Sequence, residues 1–370
     1  MTDIDVAVIG GGVAGLASAL AVAEAGLSVC LLERHPRLGH ETSTRNSGVI
    51  HAGIYYPSGS LKAALCVEGR ERLYAFAAGN AVPHDRCGKL IVAASAEEVR
   101  ALEDLADRAA GNGVHVELVG AAFVRAREPH VAAVAGLWSP TTGRVEPESF
   151  VRALTRRAEE AGVHVLRASP LVGAAPAGDR LQLDTPRESI AASMVVNAAG
   201  LYADEVSRAL GGEAFTIHPC RGEYAELAPG RRPLVNGLVY PISHTPGHGL
   251  GVHLTKTTWG TVLLGPTIRY QSRKDDYDDD RLPLDAFVED TRRLLPAITV
   301  ADLQPGLSGI RAKLCPPDQA FADFMICADA RNPRVVHAAG IDSPGLTSSL
   351  AIGARIAALV AEGLRPRRRP

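Results

Sequence analysis

The 370-residue chain predicts an α/β protein with an α+β insertion: a parallel-sheet domain split along the sequence and an antiparallel-sheet domain inserted into it. Three observations carry this. A glycine-rich turn joins an apolar strand to a helix within the first sixteen residues. Short, wholly apolar runs, typical of strands buried on both faces, recur mid-chain and near the end. Between them, residues 215 to 270 hold Tyr, Val, Thr and Leu in short runs punctuated by Gly and Pro, which reads as an antiparallel sheet.

The first strand, Val6-Ala7-Val8-Ile9, runs into Gly10-Gly11-Gly12-Val13-Ala14-Gly15. The next apolar run, Val29-Cys30-Leu31-Leu32, ends at Glu33, eighteen residues past Gly15. Strand, tight turn, helix, strand and acid follow in the order of a Rossmann-like dinucleotide site. Gly10 permits the turn, Gly12 lets the backbone approach a pyrophosphate, and Gly15 lets the helix lie close on the strand. The helix start at Val13 and Ala14 offers N–H groups to the phosphates. Glu33, with Arg34 beside it, is placed to accept hydrogen bonds from ribose hydroxyls. NAD and FAD share this half-site. An ordinary strand–helix turn competes with this reading, but three glycines at this spacing cost stability that a ligand would offset.

Residues 61 to 79 read as a helix, with Leu61, Leu65, Leu73 and Phe76 on a helical period. Residues 88 to 93 read as a strand, and 96 to 110 as a charged amphipathic helix ended by Gly111-Asn112-Gly113. A helix over 146 to 161 leads into a strand at 163 to 166, and a strand at 193 to 197 runs into Ala198-Ala199-Gly200. Finally, Val335 to Gly340 precede a long apolar helix beginning near Thr347. The expected division is 1–80, 146–214 and 320–370 for the dinucleotide domain, and 81–145 with 215–319 for the substrate domain.

With 39 basic and 41 acidic residues, net charge −2, no global field recruits nucleic acid. Six scattered cysteines without a C-x-x-C suit a reduced cytoplasmic protein, and the dispersed histidines predict no metal site. The apolar N-terminal run is not read as an export signal, because Asp3 and Asp5 precede it without a lysine or arginine. The charged run from Arg273 to Arg281 reads as a solvated loop. The Arg365–Pro370 tail reads as disordered, allowing at most peripheral contact with the inner face of a membrane.

The stretch Thr42-Ser43-Thr44-Arg45-Asn46-Ser47-Gly48-Val49-Ile50-His51-Ala52-Gly53-Ile54-Tyr55-Tyr56 closely resembles a segment of the L-2-hydroxyglutarate dehydrogenase/oxidase family, FAD enzymes of the D-amino-acid-oxidase superfamily. The resemblance continues through Ser60–Ala63, Cys66, Cys87–Ala93, Arg221–Tyr224, Val239–Pro241, Leu250–Thr255, Gly309–Arg311 and Thr347–Ile352. Asp342-Ser343-Pro344-Gly345-Leu346 is a variant of the family pattern and bears on which substrate is taken.

The resemblance implies non-covalent FAD and oxidation of a 2-hydroxy acid, foremost L-2-hydroxyglutarate to 2-oxoglutarate, by hydride transfer to flavin. Oxygen, a quinone or a carrier protein would take the electrons. It implies cofactor contact by Thr42, Ser43, Asn46, Ser47, Gly48 and Val49, and by Val172, Ala199 and Gly200. The helix start at Gly345, Leu346 and Thr347 would face the pyrimidine edge of the flavin, where its partial positive charge stabilises the reduced form.

His51 is the candidate base for the hydroxyl proton, expected to titrate near 6.5, with His253 second. A core histidine bonded to a carbonyl, or a covalent flavin link, is the alternative for His51. Arg311 resembles the superfamily arginine that holds the α-carboxylate with its planar fork. Lys62, Arg221 and Lys313 are unranked candidates for a second anion anchor, and Tyr55, Tyr240 and His253 for the pocket wall. An amine oxidase of the same fold and a non-catalytic dinucleotide-binding module are the competing readings.

Overall fold

The computed structural model describes residues 2–242 and 251–365. An eight-stranded sheet is centred on the strand Ser189–Asn197. On one side it runs parallel to Thr2–Ile9, which is followed outward by Val29–Leu32 and His164–Leu166. Its other side is shared. Its first half pairs antiparallel with Arg180–Asp184, and its last residues pair parallel with Val335–Ala339. Met194 to Asn197 are buried, as the two-faced apolar pattern requires.

Three helices converge on one face of this sheet. The helix Val13–Glu24 packs on Gly345–Leu364, which in turn packs on Leu61–Gly79. The contacts depend on small residues: a Cβ on Gly69 would lie 2.5 Å from the Thr347 carbonyl oxygen. Gly15 makes the contact expected of it, since its Cβ would sit 1.9 Å from the Gly10 carbonyl oxygen. The helix Gly345–Leu364 is long and apolar enough to cross a membrane by length and composition, but half of it is buried against the rest of the molecule.

The second sheet has nine strands and is mostly antiparallel. It contains the expected strands of the 215 to 270 region, together with Lys89–Ala93, Ala135–Ser139 and Glu117–Gly120. One pairing departs from expectation: Leu238–Pro241 lies parallel to Lys89–Ala93. The long intervening chain allows this, whereas a hairpin would force antiparallel pairing. Its longest strand, Leu303–Lys313, has no counterpart in the sequence reading. Pro305, Gly306 and Gly309 interrupt its β-like composition, and pairing with His218–Leu227 overrides that weak propensity.

The run Arg273–Arg281 is an irregular segment, but it is not simply solvated. Lys274 Nζ pairs with Asp204 and Glu205 at 2.6 and 2.7 Å, and Asp276 accepts from Arg221 at 3.2 Å. Charges that looked unpartnered in sequence meet counter-charges from distant segments. Of the C-terminal tail, residues 366–370 lie outside the described residues.

Candidate active site

A large cavity of about 1140 Å³ runs between the two sheets. Most of the sequence-predicted residues line it: Gly10, Gly12, Val13, Ala14, Glu33, Arg34, Thr42, Ser43, Asn46, Ser47, Val49, Ala199, Gly200, Gly345 and Leu346 at one end. His51, Tyr55, Lys62, Tyr240, His253 and Arg311 also line it. Three others act from behind the wall. Gly15 serves helix packing. Gly48, at φ 68°, donates its N–H to Asn46 Oδ1. Thr347 Oγ1 accepts from the His51 N–H at 3.0 Å.

Val172 is a correction. It is 63% exposed and absent from the cavity wall, which Ser169, Pro170 and Leu171 line instead. Its N–H is bonded to the Asp184 carbonyl, so the chain there is already turning into the surface hairpin Gly173–Asp184.

At the end lined by the glycine turn, Glu33 is 6% exposed and its carboxylate is oriented by two backbone donors, Gly11 N–H at 2.8 Å and His35 N–H at 2.7 Å. Both oxygens keep further lone pairs for a ligand hydroxyl. The helix Val13–Glu24 begins at Gly12 without a side-chain cap from that residue. Ser43 Oγ satisfies the Val13 N–H at 3.0 Å, so that donor is already engaged. Asn46 holds its own loop, donating to the carbonyls of Thr42 and Ser43. The helix Gly345–Leu364 likewise starts at the cavity without a side-chain cap. Two helix N-termini therefore open on one space, an arrangement suited to negative charge at both places.

At the other end, His51 directly follows the short strand Val49–Ile50. Its Nε2 is 3.4 Å from Ser343 Oγ, and its Nδ1 is buried without a hydrogen-bond partner. Its pKa is lowered to about 3, first by burial and then by the Lys89 charge. Lys89, which the sequence reading did not single out, is 1% exposed. Its ammonium lies over the rings of Tyr55 and Tyr240, 4.6 and 4.4 Å from their centroids, and burial lowers its pKa to about 7. His253 stacks on Tyr240 with centroids 3.8 Å apart, and burial holds its pKa well below the usual value. Each imidazole is therefore neutral at pH 7.

Arg311 projects from the strand Leu303–Lys313, and its two terminal nitrogens donate to the Thr267 carbonyl at 3.2 and 3.3 Å. No carboxylate among the described residues pairs with it. Gly222 on the facing strand makes room, since a Cβ there would lie 2.7 Å from Arg311 Nη2. Arg221 is different. It is 1% exposed and tied to Glu223 at 3.0 Å and Asp276 at 3.2 Å, outside the cavity wall, and this corrects its reading as an anion anchor. Lys62 is paired with Asp342 at 2.6 Å.

The profile of the DAO family, FAD dependent oxidoreductase, matches residues 5–359. The chain belongs to this family. It is 33% identical to the L-2-hydroxyglutarate dehydrogenase of Salmonella houtenae, over 96% of this chain and 93% of that one. It is 34% identical to the mitochondrial L-2-hydroxyglutarate dehydrogenase of Arabidopsis thaliana, over 96% and 83%. Among solved structures, dithionite-reduced L-alpha-glycerophosphate oxidase from Mycoplasma pneumoniae with FAD bound superposes with a TM-score of 0.89 at 26% identity, covering 98% and 95% of the two chains.

The residues of this DAO-family cavity fit FAD. It has the volume for a dinucleotide, with an oriented carboxylate at one end and two helix starts along the wall, neither capped by its own N-cap side chain. The Tyr55 hydroxyl and one ring nitrogen of each histidine are buried at the far end without partners, as expected where a ligand completes the site. Thr347 couples this end to the helix start, since its hydroxyl receives the His51 N–H and donates to the Val49 carbonyl. Thr347→Val is expected to strand the buried His51 N–H and cost about 1–3 kcal/mol of stability. Urea denaturation of the FAD-loaded protein checks this, and an unchanged midpoint would show that the bond contributes nothing.

Proposed function

We propose that this chain oxidises a 2-hydroxy acid, foremost L-2-hydroxyglutarate, to the 2-oxo acid, with FAD held non-covalently by the wall from Gly10 to Val49 and by the helix start at Gly345. The observation that carries this reading is one cavity holding a neutral imidazole, His51, and a guanidinium without an acidic partner, Arg311. The 33–34% identity to L-2-hydroxyglutarate dehydrogenases over most of the chain supports the substrate class.

Bound flavin would supply the two-electron sink. The protein's own part is positional. Arg311 would hold the α-carboxylate through two parallel hydrogen bonds and so orient the hydroxyl-bearing carbon. His51 would take the hydroxyl proton, which lowers the barrier to losing the carbon-bound hydrogen with its electron pair. Tyr55 and Tyr240 would close the wall and exclude water around the reacting carbon.

The test is anaerobic mixing of the purified yellow protein with L-2-hydroxyglutarate, D-2-hydroxyglutarate, L-lactate, glycine, sarcosine and a panel of D- and L-amino acids. L-2-hydroxyglutarate is expected to bleach the flavin fastest. Reduction by an amino acid and by no hydroxy acid would replace this reading with an amine oxidase, and reduction by nothing in the panel would favour a binding module. Acid precipitation is expected to release the flavin into the supernatant; flavin retained in the pellet would mean a covalent link.

A further inference from the structure

A five-carbon diacid presents a second carboxylate, and one guanidinium cannot hold both ends. We infer that Lys313 is the anchor of this distal carboxylate and that Asp342 sets its strength, an inference that rests on the 2-hydroxy-acid reading above. Arg311 and Lys313 stand at i and i+2 on the strand Leu303–Lys313, and both line the cavity. Alternate residues of a strand share a face and lie about 7 Å apart. With backbones about 7 Å apart on one face of a strand, side chains of this length can reach the two ends of a short diacid.

The other two candidate anchors, Arg221 and Lys62, are already engaged. Arg221 is locked between Glu223 and Asp276 away from the cavity. Lys62 lies 2.6 Å from Asp342 Oδ1, with both side chains more than nine-tenths buried, and its ammonium rests 5.4 and 5.3 Å from the ring centroids of Phe321 and Phe324. Lys313 is the exception. Its Nζ is 3.9 Å from Asp342 Oδ2 and 5.9 Å from the Tyr270 ring centroid, its side chain is 18% exposed, and its ammonium makes no hydrogen bond to any described residue.

Two ammonium groups thus share one carboxylate, which leaves one positive charge in a largely desolvated corner. Such a charge is costly unless an anion completes it. The excess sits on Lys313, the more exposed and more loosely held of the two. Arg311 and Lys313 are thus two cavity-lining cations on one strand, available to a substrate with two carboxylates. Asp342 acts as the internal competitor: it holds Lys62 and draws part of the Lys313 charge, so that a diacid binds without being trapped.

The experiment uses the FAD-loaded protein and two ligands without a hydroxyl, glutarate and butyrate, titrated against the visible flavin spectrum. Neither can be oxidised by the proposed reaction, so the result does not depend on turnover. Wild type is expected to bind glutarate about tenfold or more tightly than butyrate. Lys313→Gln should remove most of that preference by weakening glutarate alone, with flavin content and thermal midpoint unchanged. Asp342→Asn should tighten glutarate while leaving butyrate as it was. A glutarate-to-butyrate ratio unchanged in Lys313→Gln, or a wild type without preference for the diacid, overturns the inference. Tighter binding of 3-phosphonopropionate than of glutarate would overturn carboxylate as the group taken. The 2-hydroxy-acid reading fails separately, if no hydroxy acid reduces the flavin.

Discussion

Replacing His51 by alanine is expected to slow flavin reduction by on the order of 10²–10⁴-fold, the usual effect of losing a general base. Substrate affinity should change far less, because Arg311, the proposed carboxylate anchor, is on another strand. The pH dependence follows from the site. An unperturbed imidazole would protonate near pH 6.5, and the rate would fall below that point. Here burial and the Lys89 charge lower the His51 pKa to about 3. A lowered pKa favours the neutral base, so the rate should persist through pH 6 and 5, declining only as pH approaches the shifted value.

Lys89, with its own pKa near 7, is cationic throughout that acidic range, so its repulsion acts where His51 would titrate. His253, also held neutral, faces the same ammonium. Lys89→Met should therefore move the acid limb upward. The checks are stopped-flow reduction rates, taken by brief pH jumps from pH 3 to 8, for wild type, His51→Ala and Lys89→Met. A near wild-type rate in His51→Ala would make His51 structural and turn attention to His253.

Arg311→Lys is expected to weaken substrate binding by roughly 2–4 kcal/mol while retaining the charge. The wild-type guanidinium is aimed by two bonds to the Thr267 carbonyl and lies where Gly222 leaves space for it. A lysine ammonium brings the same charge as a point but cannot form two parallel bonds to a carboxylate. The loss should appear in the dissociation constant of a non-oxidisable acid and in KM, with the thermal midpoint near wild type. Unchanged affinity in Arg311→Lys would remove Arg311 from the anchor role.

Much of the geometry around the glycine turn was legible because its rules are local. A turn that must be tight, a helix that must lie close and an acid at the end of the next strand impose residue types at fixed intervals. Gly10, Gly15 and Glu33 stand where those rules put them. The distal end was less legible. Lys89 read as one residue of a strand, since nothing in its neighbours shows that two tyrosine faces from other segments enclose it. Val172 was misplaced because a hairpin begins there whose pairing is set by Asp184. The alternation Gly309, Arg311, Lys313 was present as a period-two signal, but only a strand assignment gives that period meaning.

The sequence by itself determined the split α/β plan, the dinucleotide fingerprint and the short set of polar residues that compete for the chemistry. Backbone conformation and burial period are short-range properties, and they are written in neighbouring residues. Only the tertiary structure decided which charges are free. Arg221, Lys62 and Lys313 are all cations in the sequence, yet Glu223 and Asp276 occupy the first, Asp342 holds the second at 2.6 Å, and the third lies 3.9 Å from the same carboxylate. That outcome depends on distances between segments far apart in the chain, because a charge's availability is set by what packs against it in a medium of low dielectric.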